Sequence, residues 1–175
     1  DRIKSANEGL MLNEKDKVFW VLPMAFHFVV SIVLFLKYGI TIVVNTSFSA
    51  SDICDNIIKN EVTFLYGSPM YIKLLNTSSK TVRLPTLKKV ISTTTTIAHN
   101  ECATFFDKYN IPVTQAYGII EVGLPIINTQ KLNHSPESVG YSLPSYSIGI
   151  LDAKYEELGK NKIGLLGIKG PGMFD

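Results

Sequence analysis

Short apolar runs alternate with longer amphipathic stretches along most of the chain, and this alternation restricts the fold more than any other feature. Residues 18–22, 41–44, 62–66, 87–92 and 112–116 each concentrate branched or aromatic apolar residues and have the length of buried strands. Between them, residues 26–38, 50–60, 69–76 and 100–109 carry the wider spacing of helices. Gly39 ends the first of these, Ser49 or Ser51 caps the second with Asp52 in its first turn, and Pro69 opens the third. Strands separated by helices imply right-handed crossovers. The expected fold class is therefore α/β, a largely parallel sheet with crossover helices. After about Pro125 the texture changes: residues 147–151 and 163–169 are short runs on either side of the polar segment 152–162, which predicts a short β-rich segment. A soft boundary near Leu143 divides the chain into an α/β subdomain, 1–143, and the incomplete start of a small β-rich subdomain, 144–175.

Composition narrows the function classes. A chain of 175 residues, 46% hydrophobic, can bury a sizeable core. A net charge of +2 with scattered lysines offers no nucleic-acid surface. Cys54 and Cys102 stand far apart without a CxxC pair, which argues against a metal knuckle or a disulfide framework and for a reducing, cytoplasmic compartment. Residues 18–36 lack Asp, Glu, Lys and Arg and approach the length of a membrane span, but Pro23 and His27 interrupt them and Lys37 follows directly. A strand, a turn and a buried helix account for the run better than a transmembrane segment. The chain starts at Asp1 without methionine and stops at Asp175 shortly after a Gly-Pro-Gly, so it is expected to be an internal piece of a longer protein lacking N-terminal and C-terminal parts.

In an open parallel sheet, ligands collect beyond the carboxyl ends of the strands, where loops and helix N-termini converge. Four segments are expected there: residues 23–27, Gly67-Ser68-Pro69, the threonine run 93–96, and residues 117–121. The last belongs to Gln115-Ala116-Tyr117-Gly118-Ile119-Ile120-Glu121, which sets an aromatic ring, a glycine and a lone carboxylate at the end of an apolar strand. Gly118 permits a close backbone approach. If Glu121 points inward it needs a cation, and Mg²⁺ commonly shares carboxylate oxygen with phosphate, which suggests a nucleotide. The plain alternative is that Tyr117 is core and Glu121 faces water. His27 is read either as an ordinary helix-turn residue or as a pocket residue; His99 and His134 read as loop residues, with no spacing that suggests zinc. Ser68 lacks the second glycine of a nucleophile elbow, and the glycines of 164–172 lack the following helix of a dinucleotide fingerprint. Trp20, Phe26, Phe28 and Phe35 read as core aromatics.

Taken in order, these segments resemble the adenylate-forming, AMP-binding enzyme superfamily of acyl- and aryl-CoA synthetases, firefly luciferase and peptide-synthetase adenylation domains. Leu22-Pro23-Met24-Ala25-Phe26-His27 is similar to that family's Leu-Pro-Leu-Phe-His segment, and residues 63–69 to its strand entering a Gly-x-Pro turn. Residues 90–97 stand where the family has Ser-Gly-Gly-Ala-Pro-Leu, and Tyr117 to Glu121 where it has Tyr-Gly-x-Thr-Glu. Residues 138–144 resemble Ser-Val-Gly-x-Pro-Leu-Pro, and residues 163–173 the Gly-Glu-Leu-x-Val-x-Gly-Pro strand. The resemblance implies an internal part of the large N-terminal domain of an ATP-dependent ligase. Its reaction is attack of a substrate carboxylate on the α-phosphate of ATP, giving an acyl-adenylate and pyrophosphate, followed by thioester formation with coenzyme A. Such chemistry relies on positioning and charge neutralisation.

By position, the resemblance makes Glu121 the catalytic Mg²⁺ ligand and Tyr117 the ring stacked on adenine, with Ala116, Gly118, Ile120, Thr94, Thr95 and Thr96 around the nucleotide. Phe26, His27 and Gly123 would border the acyl pocket, joined by Tyr66, Gly67 and Met70. The acid implied is a small-molecule carboxylic acid, with a lean towards an apolar one such as a long-chain fatty acid. Two departures bear on nucleotide binding. Ile120 replaces a threonine and cannot donate its hydrogen bond, and Thr93 and Thr94 replace small residues in a loop that must lie flat. The family's phosphate loop, ribose-binding segment and C-terminal lysine domain have no counterpart within these residues, so the 175-residue chain alone is expected to be inactive. The competing expectation is a degenerate homologue that keeps the fold as a non-catalytic binding or scaffold module.

Overall fold

The computed structural model describes residues 1–25, 28–78, 82–128 and 135–173. Seven strands form one sheet: β1 (Lys17–Trp20), β2 (Thr41–Val44), β3 (Phe64–Gly67), β4 (Lys89–Ser92), β5 (Val113–Ile119), β6 (Gly123–Ile127) and β7 (Tyr141–Ser142), in the order β2-β1-β3-β4-β5-β6-β7. Neighbours from β2 to β5 are parallel, whereas β6 and β7 are added antiparallel. Strands β8 (Ser147–Leu151) and β9 (Leu165–Lys169) form a separate antiparallel pair. The α/β architecture with a following β-rich segment is thus as the sequence predicts.

Helices cover both faces of the sheet. Helix α1 (Arg2–Leu10) and α2 (Leu34–Lys37), the latter continuing a π-helical turn at Val29–Val33, lie on one face. Helices α3 (Ala50–Lys59), α4 (Pro69–Thr77) and α5 (His99–Tyr109) lie on the other. Successive strand residues point to opposite faces, so in β3 Phe64 and Tyr66 enter the α1–α2 core while Leu65 enters the α3–α5 core. Burial on both faces explains why these strands read as apolar runs without a polar alternate.

Local chemistry sets the helix ends. Of the two cap candidates, the Ser49 hydroxyl accepts from Asp52 N at 3.5 Å, and Pro69 occupies the first turn of α4, where its missing N–H costs nothing. The carbonyls at the end of α4 are collected by Lys108 of α5, whose ammonium donates to Leu75 O at 2.9 Å, Asn76 O at 3.1 Å and Ser78 O.

Four differences from the sequence reading have physical reasons. Helix α1 was not foreseen: its Ser, Asn and Gly content is poor for a helix, and packing supplies what propensity lacks. A Cβ at Gly9 would stand 2.6 Å from the Leu143 side chain, so glycine allows α1 to approach the sheet closely. The helix expected over 26–38 is described only from Val29, its first turn carrying the i→i+5 bond from Val33 N to Phe28 O at 3.0 Å; Phe26 and His27 lie outside the described residues. Strand β5 continues past Ala116 because β6, hidden in the sequence by Gly123 and Pro125, pairs with it. His99 opens α5 rather than a loop, and His134 lies outside the described residues. Within the apolar stretch 18–36, residues 18–20 belong to β1, 29–33 to the π-helical turn and 34–36 to α2, and no helix among the described residues is long and apolar enough to cross a membrane.

Candidate functional site

Because β1 to β4 are parallel, the segments after Trp20, Val44, Gly67 and Ser92 leave along one edge. Strand β1 connects to β2 on one side while β3 lies on its other side, so the strand order reverses between them and opens a crevice. A cavity of about 790 Å³ occupies this place, lined by Pro23 and Met24 after β1, Asn45 after β2, Ser68 and Met70 after β3, and Thr94 after β4. No Asp, Glu, Lys, Arg or His is among its described lining residues. Two of the sequence candidates, Met70 and Thr94, therefore line the same cavity.

The threonine loop is anchored at both ends. Thr93 is buried and its amide donates to Gly67 O at 2.9 Å, while Ile97 N donates to Gln115 Oε1 at 3.3 Å. Between these anchors Thr94, Thr95 and Thr96 are exposed. Thr94 has φ +77°, a region that a β-branched side chain avoids. Beneath the loop, Tyr66 lies in the core rather than on the cavity wall, stacked on Trp20 with ring centroids 6.2 Å apart. Burial pushes its hydroxyl up to about 12, with the neighbouring Thr93 hydroxyl acting in the opposite sense. Gly67 is buried beside it, and a Cβ there would come within 2.9 Å of Val21.

Ser92 is in register with Gln115, so the threonine loop and Tyr117 leave this pair at the same edge. Ala116 is buried and opposite Ile127; Tyr117 is half-buried and opposite Ile126. The pairing shifts between Tyr117 and Ile119, placing Gly118 at a bulge, the irregularity that a strand glycine commonly marks. The chain then turns: Ile120 is 65% exposed, Glu121 is exposed, and Gly123 re-enters the sheet at φ +92°. A smaller cleft of about 70 Å³ brings Ile120 and Gly123 together with Arg2 and Phe28.

Sequence reading missed two residues that hold this turn. The Arg2 guanidinium donates to Ile120 O at 3.3 Å and to Glu121 O, and the Tyr146 hydroxyl donates to Val122 O at 2.7 Å. Burial raises the Tyr146 hydroxyl, with the Arg2 charge opposing the shift. No local signal could have found Arg2, which is 118 positions from Ile120.

Among the described residues no group of three or more His, Cys, Asp or Glu gathers as a metal cage. The turn offers one exposed carboxylate, Glu121. That donor set suits a hard cation whose other ligands are phosphate oxygens and water, so Glu121 fits the holding of Mg²⁺ that arrives with a nucleotide.

A family model described as AMP-binding enzyme matches residues 2–175. Among solved structures, the chain is similar to apo MatB from Rhodopseudomonas palustris, with a TM-score of 0.88 and 21% identity over 98% of this chain and 35% of that one. The ATP-bound form of that MatB matches with a TM-score of 0.86, 21% identity and the same coverage. A long-chain-fatty-acid-CoA ligase (FadD1) from Archaeoglobus fulgidus matches with a TM-score of 0.84 and 20% identity, over 99% of this chain and 38% of that one. The chain thus spans just over a third of the length of these structures. Comparison with curated proteins gave no match.

Proposed function

The chain belongs to the AMP-binding enzyme family, and from that premise we propose that it supplies part of the active site of an ATP-dependent acid-activating ligase. A substrate carboxylate attacks the α-phosphate of ATP, forming an acyl-adenylate and releasing pyrophosphate; the thiol of coenzyme A then attacks the acyl carbon, forming the thioester as the acyl–phosphate bond breaks and AMP leaves. Glu121 would hold Mg²⁺, which when bound would neutralise phosphate charge. Tyr117 flanks the adenine with Ala116, Gly118, Ile120 and residues 94–96, while Met70, Gly67, Gly123, Phe26 and His27 belong to the acid side, with Tyr66 in the core behind them. The observation that carries this reading is that the threonine loop and the Met70 turn line one apolar cavity at the carboxyl edge of the parallel strands, and that β5, which carries Tyr117, runs parallel to β4 towards the same edge.

Among the described residues the lining carries no charged side chain, which favours an apolar acid, of which a long-chain fatty acid is the leading case. The phosphate loop, the ribose contacts and the C-terminal lysine are assigned to parts of the protein outside residues 1–175, so the isolated chain is inactive. A boundary near Leu143 is supported by the separate pairing of β8 and β9, and a cytoplasmic setting by two buried free thiols, Cys54 and Cys102.

The test is ATP–pyrophosphate exchange by the full-length protein against a panel of fatty, aryl and dicarboxylic acids, with and without Mg²⁺. Exchange dependent on Mg²⁺ and greatest with fatty acids is expected. A full-length protein with no exchange on any acid, and no thermal shift with Mg·ATP, would sink the reading. It would also favour a second one, in which the fold persists as a non-catalytic scaffold. The specific support for that second reading is the strained Thr94 and the exposed Ile120 at nucleotide-facing positions.

A further inference from the structure

We propose that Arg2 and Tyr146 are positioning residues for Glu121, because together they hold the three consecutive backbone carbonyls of the turn that presents it; the inference rests on the reading of that turn as the Mg²⁺-nucleotide site. Arg2 donates to Ile120 O and Glu121 O, and Tyr146 donates to Val122 O. On its other side the same guanidinium donates to Pro171 O at 3.2 Å and to Gly172 O. One planar fork therefore joins the first helix, the hairpin turn and the Gly-Pro-Gly that follows β9.

The surrounding glycines make room for this junction. A Cβ at Gly170 would lie 2.1 Å from the Tyr146 ring, and one at Gly172 would lie 2.6 Å from Arg2 Nε. Tyr146 itself is only 5% exposed, so its hydroxyl is fixed by packing before it reaches Val122. The turn needs such support. Ile120 and Glu121 face solvent and gain no orientation from burial, yet a ligand carboxylate has to be held to within about 0.5 Å to be useful. Arginine suits the task because its donors are spread in a rigid plane and stay charged, whereas a lysine ammonium is a point that reaches fewer carbonyls at once.

A purely structural staple would look similar in the coordinates, and Lys108 provides the internal control. Its ammonium also gathers three backbone carbonyls, at the end of α4, among the helices of the opposite sheet face. Arg2→Met, Arg2→Lys, Tyr146→Phe and Lys108→Met are compared in the full-length protein by two readouts: melting temperature, and the Mg²⁺ concentration giving half-maximal ATP–pyrophosphate exchange. Arg2→Met and Tyr146→Phe are expected to raise the half-maximal Mg²⁺ by about tenfold. Lys108→Met is expected to lower the melting temperature only, and Arg2→Lys to recover part of the Mg²⁺ response. Tyr146→Phe removes a single hydroxyl and decides the matter should Arg2→Met fail to fold. Equal Mg²⁺ dependence in Tyr146→Phe, Lys108→Met and the wild type would leave Arg2 and Tyr146 as staples and overturn the inference alone. Absence of any Mg²⁺-dependent exchange in the wild type would overturn the inference together with the reading beneath it.

Discussion

Gln115 reaches from the middle of β5 to accept a hydrogen bond from Ile97 N at 3.3 Å, fastening the far end of the threonine loop to the strand that carries Tyr117. The same amide donates to Pro136 O, so one buried side chain connects three segments of the candidate site. Gln115→Leu keeps the volume but leaves Ile97 N and Pro136 O without that partner, at an expected cost of about 2 kcal/mol. Urea unfolding measures it, and a loss below the error of the extrapolation would show that water replaces both bonds.

Thr94 makes the opposite prediction. Its φ of +77° places a β-branched residue in the left-handed region, which stores strain that glycine does not feel. Set against the backbone entropy that glycine loses, relief of this strain by Thr94→Gly is expected to raise stability by roughly 1 kcal/mol. A destabilised variant would mean that the threonine methyl or hydroxyl makes a contact worth more than the strain.

Glu121→Gln separates chemistry from stability. The side chain is exposed, so its neutralisation is expected to change folding stability by no more than about 0.5 kcal/mol. In the full-length protein it is expected to slow Mg²⁺-dependent pyrophosphate exchange by on the order of a hundredfold. An active Glu121→Gln enzyme with ordinary Mg²⁺ dependence would remove the residue from the metal site.

Alkaline pH tests the α3–α5 core. Burial, with the Glu101 and Glu137 charges adding to it, pushes the Cys102 thiol up from 9.0 to about 11. The unfolded chain gives up this proton first as pH rises, so the stabilising contribution is complete below pH 9 and lost as pH passes through about 11. Stability is therefore expected to fall across that window, and Cys102→Ala to flatten the fall. Tyr66, held at about 12, extends the same trend beyond pH 10. Unchanged slopes for the wild type and Cys102→Ala would assign the effect to other groups.

The parallel part of the sheet was readable because its signals are local. Strands such as β3 are buried on both faces and so announce themselves as apolar runs, and Ser49 and Pro69 mark helix starts through bonds made within one turn. The order of the loops along one edge followed from the same alternation, since parallel strands send their carboxyl ends the same way. What stayed hidden was every feature set by contacts between distant residues. Helix α1 is held by packing of Gly9 against Leu143, and β6 by pairing with β5 rather than by its own β-branched content. The placement of Tyr66 in the core and of Arg2 on the Glu121 turn belongs to the same class. Sequence alone determined the class of fold and the edge at which the loops after the parallel strands emerge, because periodicity and caps are properties of neighbouring residues. Only the tertiary structure decided which side chains face that edge and what steadies them, because those outcomes depend on strand register and on hydrogen bonds closed across more than a hundred residues.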